Sequence, residues 1–379
     1  MFLVLILLVI FCLAYANGAN DVSKGIATLV GSGVTNYRKA VLWGTIWTVA
    51  GALVAVFFST GLIKTFSTGL LSDGVSITYA FSLAVAIGAF GWVILASYTG
   101  MPVSTTHSIT GAIVGAGIMA YGGYDGILWG KLIDKVFIPL AAGPFISIAL
   151  TFISFIPIAR ILSQTKKYCL CVEKNIQVSI PKLTRGGEQA VSLVSEGLDV
   201  VVAEEKICQT IDETVARLNL ADFFHWLSSG FVSFTRGLND APKIAALALV
   251  AYAVGGPLDG VYVFSGIALA MGIGSYWYGL KVTETLSQKI TTMDHIEGFS
   301  ANFATAILAG VASRFGLPVS TTHVASGAII GVGLKKGERA VRWKTVLDML
   351  LAWIVTLPVS AVIAGLSYLV LSNIRIVVS

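Results

Sequence analysis

Long apolar runs alternate with short polar breaks along the chain. Ala40 to Ile63, Tyr79 to Ser97, Val261 to Leu280 and Val346 to Val370 each contain at most one charged residue. A helix of about 20 apolar residues spans roughly 30 Å of hydrocarbon. These runs are apolar on every face, whereas barrel strands alternate in polarity over about ten residues, so a transmembrane β-barrel is excluded. The pattern predicts an all-α polytopic membrane protein with roughly 10–12 membrane segments. Composition agrees: of 379 residues, 56% are hydrophobic and 12% charged, and the mean hydropathy is +0.84. A soluble domain carries about a quarter charged residues.

The net charge of +5 is spread over loops and forms no block that would suit nucleic acid. Cys12, Cys169, Cys171 and Cys208 show neither CxxC spacing nor the pattern of a secreted disulfide framework, and they predict no structural metal site. Met1 to Ala16 ends in Ala14-Tyr15-Ala16, which is like a signal cleavage site, but it lacks a basic n-region. It is read as a retained first helix.

The chain repeats itself. Gly100-Met-Pro-Val-Ser-Thr-Thr-His107 returns as Gly316-Leu-Pro-Val-Ser-Thr-Thr-His323, and Gly18-Ala-Asn-Asp21 as Gly237-Leu-Asn-Asp240, with Lys24 and Lys243 each three residues further on. Asp21 precedes Ser104 by 83 residues and Asp240 precedes Ser320 by 80. Two membrane repeats follow, 1–165 and 220–379, joined by a hydrophilic linker at 166–219. The linker holds Glu173, Glu188, Glu196, Asp199, Glu204, Glu205, Asp212 and Glu213 among seven basic residues, too polar for lipid. An amphipathic helix is expected within it around Ala203 to Leu218.

Charge placement predicts that the repeats are inverted. Arg38-Lys39 corresponds to the uncharged Gly255-Gly256-Pro257, while Tyr121 to Asp125 corresponds to the basic Lys335 to Arg342. Equivalent loops with opposite Lys/Arg bias face opposite sides. Tracing from a cytoplasmic Arg38-Lys39 puts Lys166-Lys167, Lys281 and Lys335 to Lys344 in the cytoplasm and both termini outside. Inverted repeats with a polar site near the bilayer midplane are a recurring architecture of secondary transporters.

Two sets of polar residues interrupt the apolar segments. Asn17, Asn20 and Asp21 lie within Phe2 to Val34, and Asn239 and Asp240 within Phe231 to Val254. A carboxylate at the centre of a membrane helix costs about 2.5–3.5 kcal/mol on insertion scales and marks an ion or substrate path. Gly18, Gly25, Gly237 and Pro242 are expected to loosen these helices. Freed carbonyls together with Asn and Asp oxygens make an all-oxygen site suited to a hard cation such as sodium. The competing reading is an internal ion pair, Asp21 with Lys24 and Asp240 with Lys243, at i,i+3 spacing.

The Pro-Val-Ser-Thr-Thr-His segments predict fresh helix starts inside broken helices or re-entrant hairpins, because Pro suits the first turn and Ser or Thr caps it. Free N–H groups and the positive dipole end favour an anion. Ser104, Thr105, Thr106, Ser320, Thr321 and Thr322 add hydroxyls, enough for a tetrahedral oxyanion if symmetry brings the two starts together. The competing reading is that these hydroxyls bond back to their own helices. His107 and His323 are candidate proton carriers or additional donors. Glu297, Ser300 and Asn302, where the first repeat has Leu83, Ala84 and Ala86, are candidates for an accessory cation site or gate.

Through these four elements, in order and across both repeats, the sequence resembles the inorganic phosphate transporter (PiT) family. The resemblance implies symport of inorganic phosphate coupled to sodium or, in many bacterial relatives, to protons, sometimes with phosphate carried as a metal complex. Asp21 and Asp240 resemble the family's essential aspartates, and the two Ser-Thr-Thr runs resemble its substrate loops. Ser23-Lys24 and Pro242-Lys243 depart from the Asn-Asp-Val-Ala-Asn pattern frequent in eukaryotic members. The reading is a plasma-membrane symporter with phosphate held by the Ser-Thr-Thr runs, Asn20 and Asn239, and sodium held by Asn20, Asp21, Asn239 and Asp240. It needs no cofactor beyond the coupling ion, and a homodimer in the bilayer is expected. Proton-coupled phosphate or sulfate transport and an anion channel are the alternatives. An enzyme is not expected, since no G-x-S-x-G, H-E-x-x-H or nucleotide-binding loop is present.

Overall fold

The same turn chemistry ends one helix and begins the next at two places in the chain. Helix α4 (Tyr79–Thr99) stops at Gly100, whose φ of +77° is open to glycine, and α5 (Thr105–Tyr121) starts at Ser104, whose Oγ accepts from His107 N at 3.2 Å. Helix α11 (His295–Arg314) is followed by Gly316 at φ +66°, and α12 (Thr321–Lys336) starts at Ser320, whose Oγ accepts from His323 N at 3.2 Å. The left-handed glycine reverses the chain, and the serine satisfies an N–H orphaned at each helix start. Both helical hairpins therefore follow from the repeated Gly-x-Pro-Val-Ser-Thr-Thr-His sequence.

In the computed structural model the described residues are 2–58, 60–75, 77–165, 168–178, 194–204, 214–253 and 260–374. The first hairpin is preceded by α1 (Phe2–Gly31), α2 (Tyr37–Val54) and α3 (Thr60–Ser67). It is followed by a 3₁₀ turn (Tyr124–Gly126), α6 (Trp129–Leu132), a π turn (Ile133–Phe137) and α7 (Ile138–Thr165). The second is preceded by α8 (Leu220–Ala253), α9 (Gly260–Tyr278) and α10 (Leu280–Gln288), and followed by a 3₁₀ turn (Glu338–Ala340) and α13 (Trp343–Ser372). Apart from α6 and the π turn, which the second part lacks among the described residues, the order of these elements is the same in the two parts. Gly255-Gly256-Pro257 and Lys166-Lys167 lie outside the described residues.

Among the described residues six helical segments are long and apolar enough to cross a membrane: Leu3–Gly31, Tyr37–Phe57, Tyr79–Thr99, Trp129–Thr165, Gly260–Tyr278 and Trp343–Ser372. Helices α5, α8, α11 and α12 are shorter or more polar; α5 and α12 start within the two Ser-Thr-Thr motifs and α8 carries the second Asn-Asp element, whereas the first lies on the apolar α1.

Packing exchanges elements between the two parts. Helix α1 packs on α9 and α2 on α8, while α5 packs on α13 and α12 on α7. Small residues permit the crossings, as they do where lipid supplies no hydrophobic drive for helix association. A Cβ at Gly18 would lie 2.1 Å from the Met271 carbonyl oxygen, and one at Gly274 would lie 2.0 Å from that of Tyr15. Gly51 meets Phe234 O and Gly237 meets Thr48 O in the same way, at 2.0 and 2.3 Å.

Three sequence expectations are corrected. Helices α1 and α8 run unbroken through Asn17–Asp21 and Asn239–Asp240, including Pro242. Gly18 and Gly237 serve close helix crossing rather than a break, so the freed-carbonyl cation site is not formed on these helices. Of the linker helix expected around 203–218, the two ends, 203–204 and 214–218, are strand, and 205–213 lie outside the described residues. The linker holds an antiparallel sheet of β1 (Tyr168–Val178), β2 (Val194–Glu204) and β3 (Thr214–Asn219) in the order β2-β1-β3, consistent with the β-branched run Val200-Val201-Val202. Cys169 is disulfide-bonded, which the cysteine spacing did not indicate.

Candidate functional site

The two helix starts touch. Thr322 Oγ1 donates to Val103 O at 2.7 Å and Thr106 Oγ1 donates to Val319 O at 3.4 Å, so each hairpin's first helical turn rests on the other's tip. All of Ser104, Thr105, Thr106, Ser320, Thr321 and Thr322 are buried. The sequence expectation that the two Ser-Thr-Thr runs meet is met by this geometry.

The Asn-Asp elements border the same place. Asn17 Nδ2 donates to Asp21 Oδ2 at 3.0 Å, Thr105 Oγ1 at 3.0 Å and Asp240 Oδ2 at 3.3 Å, tying α1, α5 and α8 together. Asn20 Oδ1 accepts from Val103 N at 3.2 Å, while its Nδ2 donates to Met101 O at 2.9 Å and Ser97 Oγ at 3.2 Å. Asn239 Nδ2 donates to Val319 O at 2.9 Å. Each Asn of the repeated Asn-Asp pair therefore holds the tip of its own hairpin.

Both ion pairs of the competing reading are present. Lys24 Nζ donates to Asp21 Oδ1, to Asn20 Oδ1 at 2.9 Å and to Asn20 O at 3.1 Å. Lys243 Nζ donates to Thr106 Oγ1 at 2.6 Å, Asp240 Oδ1 at 3.0 Å and Val319 O at 3.1 Å. All four charged groups are buried. Burial of charges demands such pairing, since an isolated ion in this setting costs several kcal/mol.

A fifth charge was missed by the sequence reading. Arg236 is 0% exposed and occupies in α8 the position that Asn17 occupies in α1. Its Nη2 donates to Thr48 Oγ1 at 2.7 Å and Ser275 Oγ at 3.3 Å, and its Nη1 to Asn17 O at 3.4 Å. Its Nε has no hydrogen-bond partner. Among the described residues no carboxylate lies within ion-pair distance of it. The cluster thus holds three cations against two carboxylates, leaving a surplus positive charge. Asn17 Oδ1 and Asn239 Oδ1 are also buried without a partner. The signal was an arginine in the apolar run from Phe231, next to Gly237-Leu-Asn-Asp240.

His107 and His323 sit behind the helix starts with ring centroids 4.7 Å apart. They border a cavity of about 680 Å³ between α5, α7, α12 and α13 that is otherwise apolar. His323 Nδ1 donates to Leu140 O at 3.2 Å, and neither imidazole bonds to the carboxylates. Glu297, Ser300 and Asn302 are not drawn into the cluster. Glu297 completes a capping box with Asp294 and pairs with Lys336 at 2.6 Å. Ser300 bonds to Ile296 O at 2.8 Å, and Asn302 faces Ser228 Oγ at 3.5 Å.

A smaller cavity of about 180 Å³ abuts the first tip, lined by Gly100, Met101, Pro102, Thr285, Lys289 and Asp348 among others. At the second tip α3 closes in, with a Cβ at Gly61 falling 3.3 Å from the Gly316 Cα.

The family model described as the phosphate transporter family matches residues 17–364. A Pyrococcus horikoshii protein named "Putative phosphate permease" is 30% identical over 408 residues, covering 97% of each chain. "Inorganic phosphate transporter 2-1, chloroplastic" of Arabidopsis thaliana is 29% identical, over 93% of this chain and 69% of that one. A solved structure titled "The sodium-dependent phosphate transporter" superposes with a TM-score of 0.77 at 23% identity, covering 98% of this chain and 99% of that one.

Proposed function

Since the chain belongs to the phosphate transporter family, and so is a transporter rather than an enzyme, we propose that it is a secondary symporter importing inorganic phosphate. The anion sits between the starts of α5 and α12, where hydroxyls and helix N-termini converge. The observation that carries this reading is the meeting of the two starts through Thr322–Val103 and Thr106–Val319, beside a cluster with one cation in excess. A phosphate oxyanion neutralises that excess. Transport proceeds by alternating access, with the hairpins moving against α1, α2, α8 and α9 around a site near the bilayer midplane. The charge bias of the loops supports inverted repeats with both termini outside and a cytoplasmic 166–219. In that orientation the cavity at Lys289 and Asp348 opens the first tip toward the cytoplasm.

Two coupling cations compete. The likeness to a structure titled as sodium-dependent supports sodium at Asn20, Asp21, Asn239 and Asp240. The ammonium groups already bound to Asn20, Asp21 and Asp240 favour a proton. Uptake of labelled phosphate into proteoliposomes tests the function, with sodium and pH gradients imposed separately. Gradient-driven accumulation is expected. Continuous current without accumulation would show a channel, and preferential uptake of sulfate would show the wrong substrate.

A further inference from the structure

Lys24 and Lys243 stand at equivalent positions of the two repeats, three residues after Asp21 and Asp240. An ammonium has three N–H donors and no acceptor. Each of these ammoniums meets three oxygens: Asp21 Oδ1, Asn20 Oδ1 and Asn20 O for Lys24, and Asp240 Oδ1, Thr106 Oγ1 and Val319 O for Lys243. Both donor sets are fully used. The lysine side chains are 0% and 1% exposed, so neither leaves its oxygens for water without rearrangement of the helices around it.

The acceptors are the kind that bind a small hard cation: carboxylate, amide carbonyl, backbone carbonyl and hydroxyl oxygens. They also include Asn20, Asp21 and Asp240 from the set that the sequence assigns to sodium. A sodium ion entering either place would need the same oxygens and would meet a positive charge within bonding distance of them. Resting on the phosphate-symporter reading, we infer that Lys24 and Lys243 are tethered cations that occupy the coupling-ion sites, so that this chain moves phosphate without taking up sodium.

The two sites are not equivalent in what they hold. Lys24 binds only oxygens of its own helix, although Asn20 Oδ1 also receives Val103 N from the first tip. Lys243 joins Thr106 at the start of α5 to Val319 at the second tip, so its ammonium binds both hairpins at once. A tethered cation here does the structural work of a bound ion, neutralising the carboxylate and drawing the helix starts together, without being consumed in the cycle.

Phosphate counterflow requires no driving gradient and separates this inference from the function it rests on. Vesicles loaded with unlabelled phosphate are presented with labelled phosphate in choline medium or in sodium medium. Equal counterflow in both is the expected result. Counterflow that requires sodium overturns the inference and leaves the phosphate reading standing, whereas no counterflow in either medium overturns both. Lys24→Met and Lys243→Met remove the ammonium and keep the oxygens. Sodium is expected to stimulate their counterflow roughly tenfold, within the range of coupling between two bound ligands, and to raise their melting temperature. A sodium-induced rise of the wild-type melting temperature as large as that of the variants overturns the inference.

Discussion

Thr322 and Val103 lie 219 residues apart, yet the threonine hydroxyl donates to the valine carbonyl at 2.7 Å. The reciprocal bond, Thr106 to Val319, is longer at 3.4 Å because that carbonyl also receives Asn239 Nδ2 and Lys243 Nζ. Bond length alone would make Thr322 the costlier residue to lose. Thr106 Oγ1, however, is also an acceptor for the buried Lys243 ammonium. Removing a partner from a neutral group costs about 1–3 kcal/mol and more from a charged one. Thr106→Val is therefore expected to lower the melting temperature more than Thr322→Val. The reverse order in detergent melts would show that Lys243 is held by its other partners.

Arg236 bears the excess charge of the cluster. Hydrogen bonds to charged groups contribute about 1.5–3 kcal/mol, so Arg236→Gln is expected to raise the KM for phosphate roughly 10- to 150-fold. Arg236→Lys retains charge but loses the planar fork, and should fall between the two. An unchanged KM in Arg236→Gln would place phosphate outside the reach of this residue.

Asp21→Asn and Asp240→Asn each leave a buried ammonium without its carboxylate, a loss of about 3–5 kcal/mol. Phosphate uptake should fall to background in both. Besides its lysine, each carboxylate accepts from two further side chains, Asp21 from Asn17 and Thr105 and Asp240 from Asn17 and Asn239. The two losses are therefore expected to destabilise the protein to a similar degree, as read by melting in detergent.

The reciprocal helix crossings make a stability prediction away from the charges. A Cβ at Gly51 or Gly274 would fall 2.0 Å from a backbone carbonyl oxygen, whereas one at Gly130 meets nothing within 4 Å. Gly51→Ala and Gly274→Ala should each cost about 1–3 kcal/mol or more by overpacking. Gly130→Ala serves as the control and should melt like the wild type.

Much of this site was legible because the sequence repeats its chemistry. Pro-Val-Ser-Thr-Thr-His carries its own helix cap, so Ser104 and Ser320 could be placed at helix starts before any contact was known. Ion pairs at i,i+3 were equally visible from Lys24 and Lys243. Arg236 escaped because it has no counterpart, and a search by repetition passes over what one repeat alone possesses. Gly18 and Gly237 were read as helix breakers because spacing does not reveal a crossing helix, and only Met271 and Thr48 explain them. The strands of the linker were hidden for a related reason: β1 is what pairs with β2 and β3, and no local period reports a partner.

The central claim, a phosphate held between the two helix starts, is tested most directly by determining the structure with phosphate bound. The account predicts tetrahedral density within hydrogen-bond distance of residues 104–106 and 320–322, with Arg236 facing it directly or through water. Phosphate bound elsewhere, with Thr106–Val319 and Thr322–Val103 closed as they are now and no anion between them, would contradict it.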